Sequence, residues 1–197
     1  WEGCRAKFVK VQRRVFQDPS RELTKTEYAR LTAAAQEQGR ERLALLLETI
    51  CATGIRVSEV AYITVEALRV GKAEVALKGK IRTILWPAKL GRKLLKYAQK
   101  QKIASGAIFR TRSGKALSRG QIWGMLKRLS KVAGVDPSKV FPHNLRHLFA
   151  TTFYQASKDI VKLADVLGHT HIETTRIYLM TSGREHQRQL DQLGLVK

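Results

Sequence analysis

Only two cysteines, Cys4 and Cys51, occur in 197 residues. Two thiols build neither a disulfide framework nor a Cys-x-x-Cys metal knuckle, so both read as structural thiols of a reducing compartment. The expected location is the cytoplasm of a bacterium. No apolar run approaches the ~20 residues of a membrane span, and no stretch resembles the apolar region of a signal peptide. Internal repeats and low-complexity segments are also missing, which sets aside repeat architectures and compositional tails. Acidic residues are scarce: 16 Asp and Glu stand against 37 Lys and Arg, a net charge of +21. A chain this basic is expected to meet a polyanion, with nucleic acid first and an anionic membrane surface as the competitor.

What is present is globular. The hydrophobic content is 44%, and the length suits one large domain or two small ones. The chain opens on Trp1 rather than Met, and reads as part of something longer. Residues 1–20 carry cations without a sustained period and are expected to be a linker or arm. Thr24-Lys-Thr-Glu27 is a capping box that opens a helix to about Gln38. A second helix, about Arg40 to Ala52, buries Leu43, Leu46, Leu47 and Ile50. Gly54 breaks it, and a short helix starts near Val57. The period then becomes strand-like: Val65–Val70, Ala73–Leu77 and Ile81–Trp86 are expected to form three short antiparallel strands, with turns at Gly71-Lys72 and Lys78-Gly79-Lys80. The rest is helical. One helix spans about 88–102, with Leu90, Leu94, Tyr97 and Ala98 inward, and Ile108-Phe109 forms a brief extended piece. Ser118 caps a helix over about Arg119 to Ala133, with Ile122, Met125, Leu126 and Leu129 on one face and Lys127 and Lys131 on another. Pro142 precedes a helix of about His143 to Ala156. Ile160, Leu163, Ala164 and Leu167 mark another, stopped by Gly168. A further segment starts near Ile172, and a last helix spans about Arg184 to Gln192. The expected fold is therefore mainly α with a small three-stranded antiparallel β-sheet. Residues 21–183 form the domain and 184–197 a helical tail.

Several stretches could carry chemistry. Leu167-Gly-His-Thr-His-Ile-Glu-Thr-Thr-Arg-Ile-Tyr178 mounts an imidazole, His169, and a phenol, Tyr178, on two short elements joined by a glycine turn. In the plain reading Tyr178 is a core residue and His169 a helix cap. A phenol can also be a nucleophile, but its free pKa of ~10 means it needs cations and hydrogen-bond donors nearby. His143-Asn-Leu-Arg-His147 places His143 and Arg146 on one helix face. The four-residue spacing of His143 and His147 also suits zinc, but no third ligand is evident in the sequence and no metal is expected. Arg56 follows the Gly54 turn, with Glu59 three residues on, which alone reads as a surface ion pair. Lys78 lies in a hairpin turn. Together, two arginines, a lysine, two histidines and a tyrosine are the set phosphoryl transfer asks for. Arginine forks neutralise the phosphodiester, a lysine can protonate a leaving alkoxide, histidines can move protons, and a tyrosine can hold the phosphate covalently.

In order along the chain, Thr53-Gly-Ile-Arg56-Val-Ser-Glu59, Lys78, His143-Asn-Leu-Arg146-His147, and Leu-Gly-His169 followed by Tyr178 resemble the motifs of the tyrosine recombinase, or phage integrase, family, over about residues 21–185. The resemblance implies the catalytic-domain fold of that family and an enzyme that cleaves and rejoins DNA through a 3′-phosphotyrosine. It implies Tyr178 as nucleophile and Arg56 and Arg146 as the phosphate clamp. Lys78 would be general acid, His143 a proton-transfer residue and His169 a hydrogen-bond partner of the phosphate. Glu59, with His147, would orient the site rather than react. No cofactor is implied. Lys78 is preferred to Lys80 on turn register, although Leu77 stands where the family often has glycine. Expected DNA contacts are Lys80, Arg82, Lys127, Lys131, Arg13 and Arg14. The implied partners are double-stranded DNA and, through exchange of the C-terminal tail, three further copies in a tetramer. Family members usually carry an N-terminal DNA-clamping domain, without which binding should be weak. Two rivals remain: a type IB topoisomerase-like nicking and resealing enzyme, and a helical DNA-binding module without an active site.

Overall fold

In a computed structural model of the chain, residues 19–77 and 80–176, with Tyr178 and Gln192, are described. The chain divides into a unit of Arg21–Leu179, treated below, and the flanking segments Trp1–Ser20 with Met180–Lys197. All of the expected linker but residues 19 and 20, with Arg13 and Arg14, as well as Lys78 and nearly all of the expected Arg184–Gln192 helix, lie outside the described residues.

Helix α1 (Lys25–Glu37) begins at the expected capping box. The Glu27 amide donates to the Thr24 hydroxyl at 3.1 Å, and the Thr24 amide donates to the Glu27 carboxylate at 2.8 Å. Helix α2 (Glu41–Thr53) is the central element: Leu46, Leu47 and Ile50 are wholly buried. Each contributes about 1.5–3 kcal/mol by leaving water. It stops at Gly54, whose φ is +61°. A side chain there is barred twice, because the left-handed backbone disfavours one and a Cβ would lie 2.3 Å from Phe149 Cδ1. A 3₁₀ segment, Val57–Tyr62, follows.

The expected strand Val65–Val70 is instead a helix, α3. Its local signals outweigh its β-branched residues. The Thr64 hydroxyl accepts from the Ala67 amide at 3.1 Å, Val65 and Leu68 bury one face three residues apart, and Gly71 ends the turn. The sheet accordingly has two strands, β1 (Lys72–Leu77) and β2 (Lys80–Leu85), paired antiparallel with Val75 opposite Arg82 and Ala73 opposite Ile84. Ala73, Val75 and Ile84 are buried on one face, while Ile81 and Leu85 are exposed on the other. Helix α4 (Ala88–Lys100) buries Leu90, Leu94, Tyr97 and Ala98 as expected. The Ile108-Phe109 piece is fully buried, and the Ile108 amide donates to the Ile63 carbonyl at 2.9 Å.

Helix α5 (Arg119–Val132) opens on a second capping box, Ser118 with Gln121. Ile122, Leu126 and Leu129 are buried, and Met125 is half-buried against the core. Helix α6 (Pro142–Ser157) starts with proline in its first turn, where a missing amide hydrogen costs nothing. Helix α7 (Ile160–Leu167) is capped by Asp159, which accepts from the Val161 and Lys162 amides, and α8 (Ile172–Arg176) follows. Helices α1, α2, α4, α5 and the first part of α6 share one core. A smaller cluster of Ala150, Leu163, Leu167 and Tyr178, flanked by Phe149, Phe153 and Tyr154, joins α6 to α7. No described helix is long and apolar enough to cross a membrane.

Candidate active site

The site forms where the C-terminal ends of α2 and α7 meet the first turns of α6. Arg146, on α6, is buried. Its Nη1 donates to the Gly54 carbonyl at the end of α2, and its Nη2 donates to the Leu167 carbonyl at the end of α7, 2.9 Å away. These carbonyls have no partner inside their own helices and carry the negative end of the helix dipole, so they suit a buried cation. Burial pulls the guanidinium down to about 10, with the Arg56 charge adding and contact with Tyr178 opposing, and it remains charged at neutral pH.

His169 is presented by the turn after α7. Gly168 adopts φ +65°, and the His169 amide donates back to the Ala164 carbonyl at 2.9 Å. Its Nε2 lies 2.9 Å from Arg146 Nη2, and its Nδ1 lies 2.9 Å from the Thr175 hydroxyl. Guanidinium has only donors, so Nε2 must accept; the ring proton of neutral His169 is therefore on Nδ1, shared with Thr175. Burial first, then the charges of Arg146, Arg56 and Arg82, push this imidazole down to about 4, in keeping with that tautomer.

Tyr178 is only 6% exposed. Its ring stacks on His169 at 5.8 Å between centroids and 11° between planes. The rings of His143 and His147 each lie 5.5 Å away, tilted. Arg146, bonded to His169, lies close enough to Tyr178 for the phenol to oppose the effect of burial on the guanidinium. Three imidazoles and a guanidinium thus surround the one phenol. His143 lies at the surface, and partial burial, then Arg146, lowers its pKa. His147 is buried, and that burial, with His143 second, pushes it down to about 4. Among the described residues no three His, Cys, Asp or Glu side chains are grouped to hold a metal, so the zinc spacing of His143 and His147 finds no third ligand there.

Burial of neutral His147 makes a measurable prediction. Its value of about 4 lies below the ordinary 6.5, so the unfolded chain binds the extra proton between these limits. Stability should be whole above about pH 6.5, fall as pH drops, and level off below about 4. His147 alone should account for on the order of 3 kcal/mol of that fall. Denaturant unfolding at pH 7, 5.5 and 4.5 should show a shallower decline for His147→Gln than for the unchanged chain. Equal declines would refute the assignment.

Arg56 is 41% exposed and is held by Glu59, which is 1% exposed. The Arg56 amide donates to Glu59 Oε2 at 2.8 Å and its Nη1 to Oε1 at 2.8 Å. Burial raises the Glu59 pKa, but the Arg56 amide, the Arg82 charge and the two guanidinium hydrogen bonds together hold it below the usual carboxylate range. Arg82, expected on the DNA-contacting surface, turns inward instead: Nη1 pairs with Glu59 Oε2, and Nη2 donates to the Val166 carbonyl at 2.8 Å. The signal for this was present, since strand alternation puts Arg82 on the face of buried Ile84. Thr175 and the Gly54 and Leu167 carbonyls were missed because their roles depend on contacts distant in sequence. Lys80 opens β2. Half-buried Lys127 donates to the Pro137 carbonyl and lies 4.9 Å over the Trp123 ring, whereas Lys131 is exposed.

A buried guanidinium bonded to a histidine that stacks on a phenol, with two more histidines about the ring and this order of motifs, points to one family. Residues 21–184 match the model of the phage integrase family. The chain belongs to the phage integrase family. It is 34% identical over 160 residues to the tyrosine recombinase XerD of Xanthomonas campestris pv. campestris, covering 74% of this chain and 49% of that one. It is 30% identical over 183 residues to the tyrosine recombinase XerA of Pyrococcus furiosus, covering 89% and 62%. The chain therefore spans about half to three-fifths of the length of these relatives. A crystal structure of XerA recombinase superposes with a TM-score of 0.74 at 25% identity, over 89% of this chain and 64% of that one. The XerH site-specific recombinase bound to palindromic difH substrate in a post-cleavage complex shares the fold, with a TM-score of 0.69 at 23% identity over 86% and 52%.

Proposed function

We propose that this chain is the catalytic part of a site-specific DNA recombinase that cleaves and rejoins double-stranded DNA through a 3′-phosphotyrosine on Tyr178. The observation that carries the reading is the Tyr178 ring set among His143, His147 and His169, with the buried Arg146 guanidinium bonded to the His169 ring that stacks on it. A guanidinium fixed at that point opposes the charge that builds on the pentavalent phosphorane. Arg56, fixed by Glu59, supplies the second guanidinium of a phosphate clamp. Nε2 of His169 is occupied by Arg146, so His143, at the surface beside the ring, is the better placed to take the phenol proton. His169 then holds Arg146, and to hydrogen-bond the phosphate once DNA enters its ring must release Arg146 and carry a proton on Nε2. Lys78 is the general acid toward the 5′ oxygen. Cleavage conserves the bond energy in the phosphotyrosine, and attack by the 5′ hydroxyl of a partner strand restores the phosphodiester and frees the phenol.

The proposal includes cytoplasmic operation and a tetramer on DNA joined by exchange of residues 184–197, whose Leu190, Leu193, Leu195 and Val196 make an apolar sequence face too short to be a stable free helix. The test is a nicked suicide substrate: a covalent protein–DNA band on a denaturing gel supports the enzyme, and its absence returns the chain to a DNA-binding module. Binding itself should be dominated by phosphate contacts. Log affinity is expected to fall against log salt by roughly 0.9 per phosphate neutralised. A flat response between low and physiological salt contradicts that reading of the +21 charge.

A further inference from the structure

The remaining unexplained group is Arg82. Its side chain is 11% exposed, although it belongs to a two-stranded hairpin at the surface. It touches three separate elements. Nη1 pairs with Glu59, the carboxylate that also holds Arg56 by its amide and its guanidinium. Nη2 donates to the Val166 carbonyl in the last turn of α7. Its stem packs so tightly on Gly168 that a Cβ there would lie 2.3 Å from Arg82 Cδ and 2.7 Å from Nε. The glycine before His169 is thus required by its backbone conformation and also by Arg82. Nε is buried without an acceptor among the described residues. A buried donor left unpaired is costly, so the position is held by the contacts at both ends of the fork.

We propose that Arg82 is a positioning residue that ties the β-hairpin to both sides of the site, orienting Arg56 through Glu59 and His169 through Val166 and Gly168. A phosphate contact would leave this guanidinium free; here both terminal nitrogens are engaged within the protein. Lysine has one ammonium and cannot span Glu59 and Val166 as the fork does. The hairpin that carries Lys78 and Lys80 therefore docks through the same carboxylate that sets Arg56, so hairpin placement and phosphate clamping form one arrangement. The rate consequences rest on the recombinase reading; the positional ones do not.

Two measurements on the full chain test this. In the first, imidazole ¹⁵N spectra are recorded without DNA. Arg82→Gln should move the His169 signals away from the pattern of a protonated Nδ1 and an accepting Nε2, leaving those of exposed His171 in place. Unchanged His169 signals overturn the proposal, whether or not the protein is an enzyme. In the second, single-turnover cleavage of the suicide substrate is followed at saturating DNA. Arg82→Gln should slow it about 10²-fold, the scale of a small misplacement of reacting groups, while affinity and its salt slope stay unchanged. Arg82→Lys should recover part of the rate. Adding Glu59→Gln should slow Arg82→Gln little further, because both act through one contact. Full additivity, or weakened affinity with a normal saturated rate, overturns the proposal. If Arg82→Gln does not fold, Arg82→Lys alone and with Glu59→Gln serves both measurements. If the unchanged chain forms no adduct, the recombinase reading fails and the spectra still decide the role of Arg82.

Discussion

Tyr178→Phe is expected to fold, to bind DNA as the unchanged chain does, and to form no covalent adduct at all. The substitution removes one oxygen and keeps the ring. The ring packs with Ala150, Leu163 and Leu167, and stacks on His169. Those contacts survive, so loss of the phenol oxygen should cost at most the worth of one hydrogen bond, ~1 kcal/mol of stability. Under the proposed function chemistry responds differently, because the phenylalanine ring carries no oxygen that could displace an alkoxide from phosphorus and keep the phosphate. The measurement is a nicked suicide substrate on a denaturing gel, with melting temperature and DNA affinity as controls. Adduct from the phenylalanine variant at the unchanged level would mean that Tyr178 is a core residue and that the nucleophile is elsewhere.

Local signals in the sequence were read well where the physics is local. The capping box at Thr24–Glu27, the Ser118 cap and the glycine stops at Gly54 and Gly168 depend on groups within a few residues of one another, and all four occur in the structure. Val65–Val70 was misread because its valines suit a strand, whereas a threonine cap and one buried helical face decided otherwise. The internal partners of Arg82 were not legible for a different reason. A cation on a hairpin suggests a DNA contact, and its partner Glu59, 23 residues earlier, buried and also bonded to half-exposed Arg56, emerges only from the fold. The convergence of Gly54, Arg146, Leu167 and His169 is a matter of tertiary placement. The sequence supplied these residue types in a recognisable order, but not the carbonyls that hold the guanidinium or the tautomer that follows from it.

Arg146 brings these points together, and its replacement is expected to have the second-largest effect. Arg146→Ala removes the guanidinium beside Tyr178 and with it the charge that would oppose the phosphorane. It also strands the Gly54 and Leu167 carbonyls and His169 Nε2. Each buried acceptor left without a partner costs about 1–3 kcal/mol, so this variant should be visibly less stable. Loss of activity in it therefore mixes two causes. Arg146→Lys separates them, since an ammonium keeps the charge and can reach one or two of the acceptors but not the whole fork. It should fold and bind DNA with near-normal affinity, yet cleave at least about 10²-fold more slowly, the scale of losing one preorganised donor to a transition-state oxyanion. Any adduct should still form on Tyr178, identifiable by peptide mapping of the trapped complex. Single-turnover rates at saturating DNA, read beside unfolding curves for both variants, distinguish the contributions. A lysine variant that cleaves at the unchanged rate would show that a point charge suffices, and the two-pronged clamp of Arg56 and Arg146 would have to be given up.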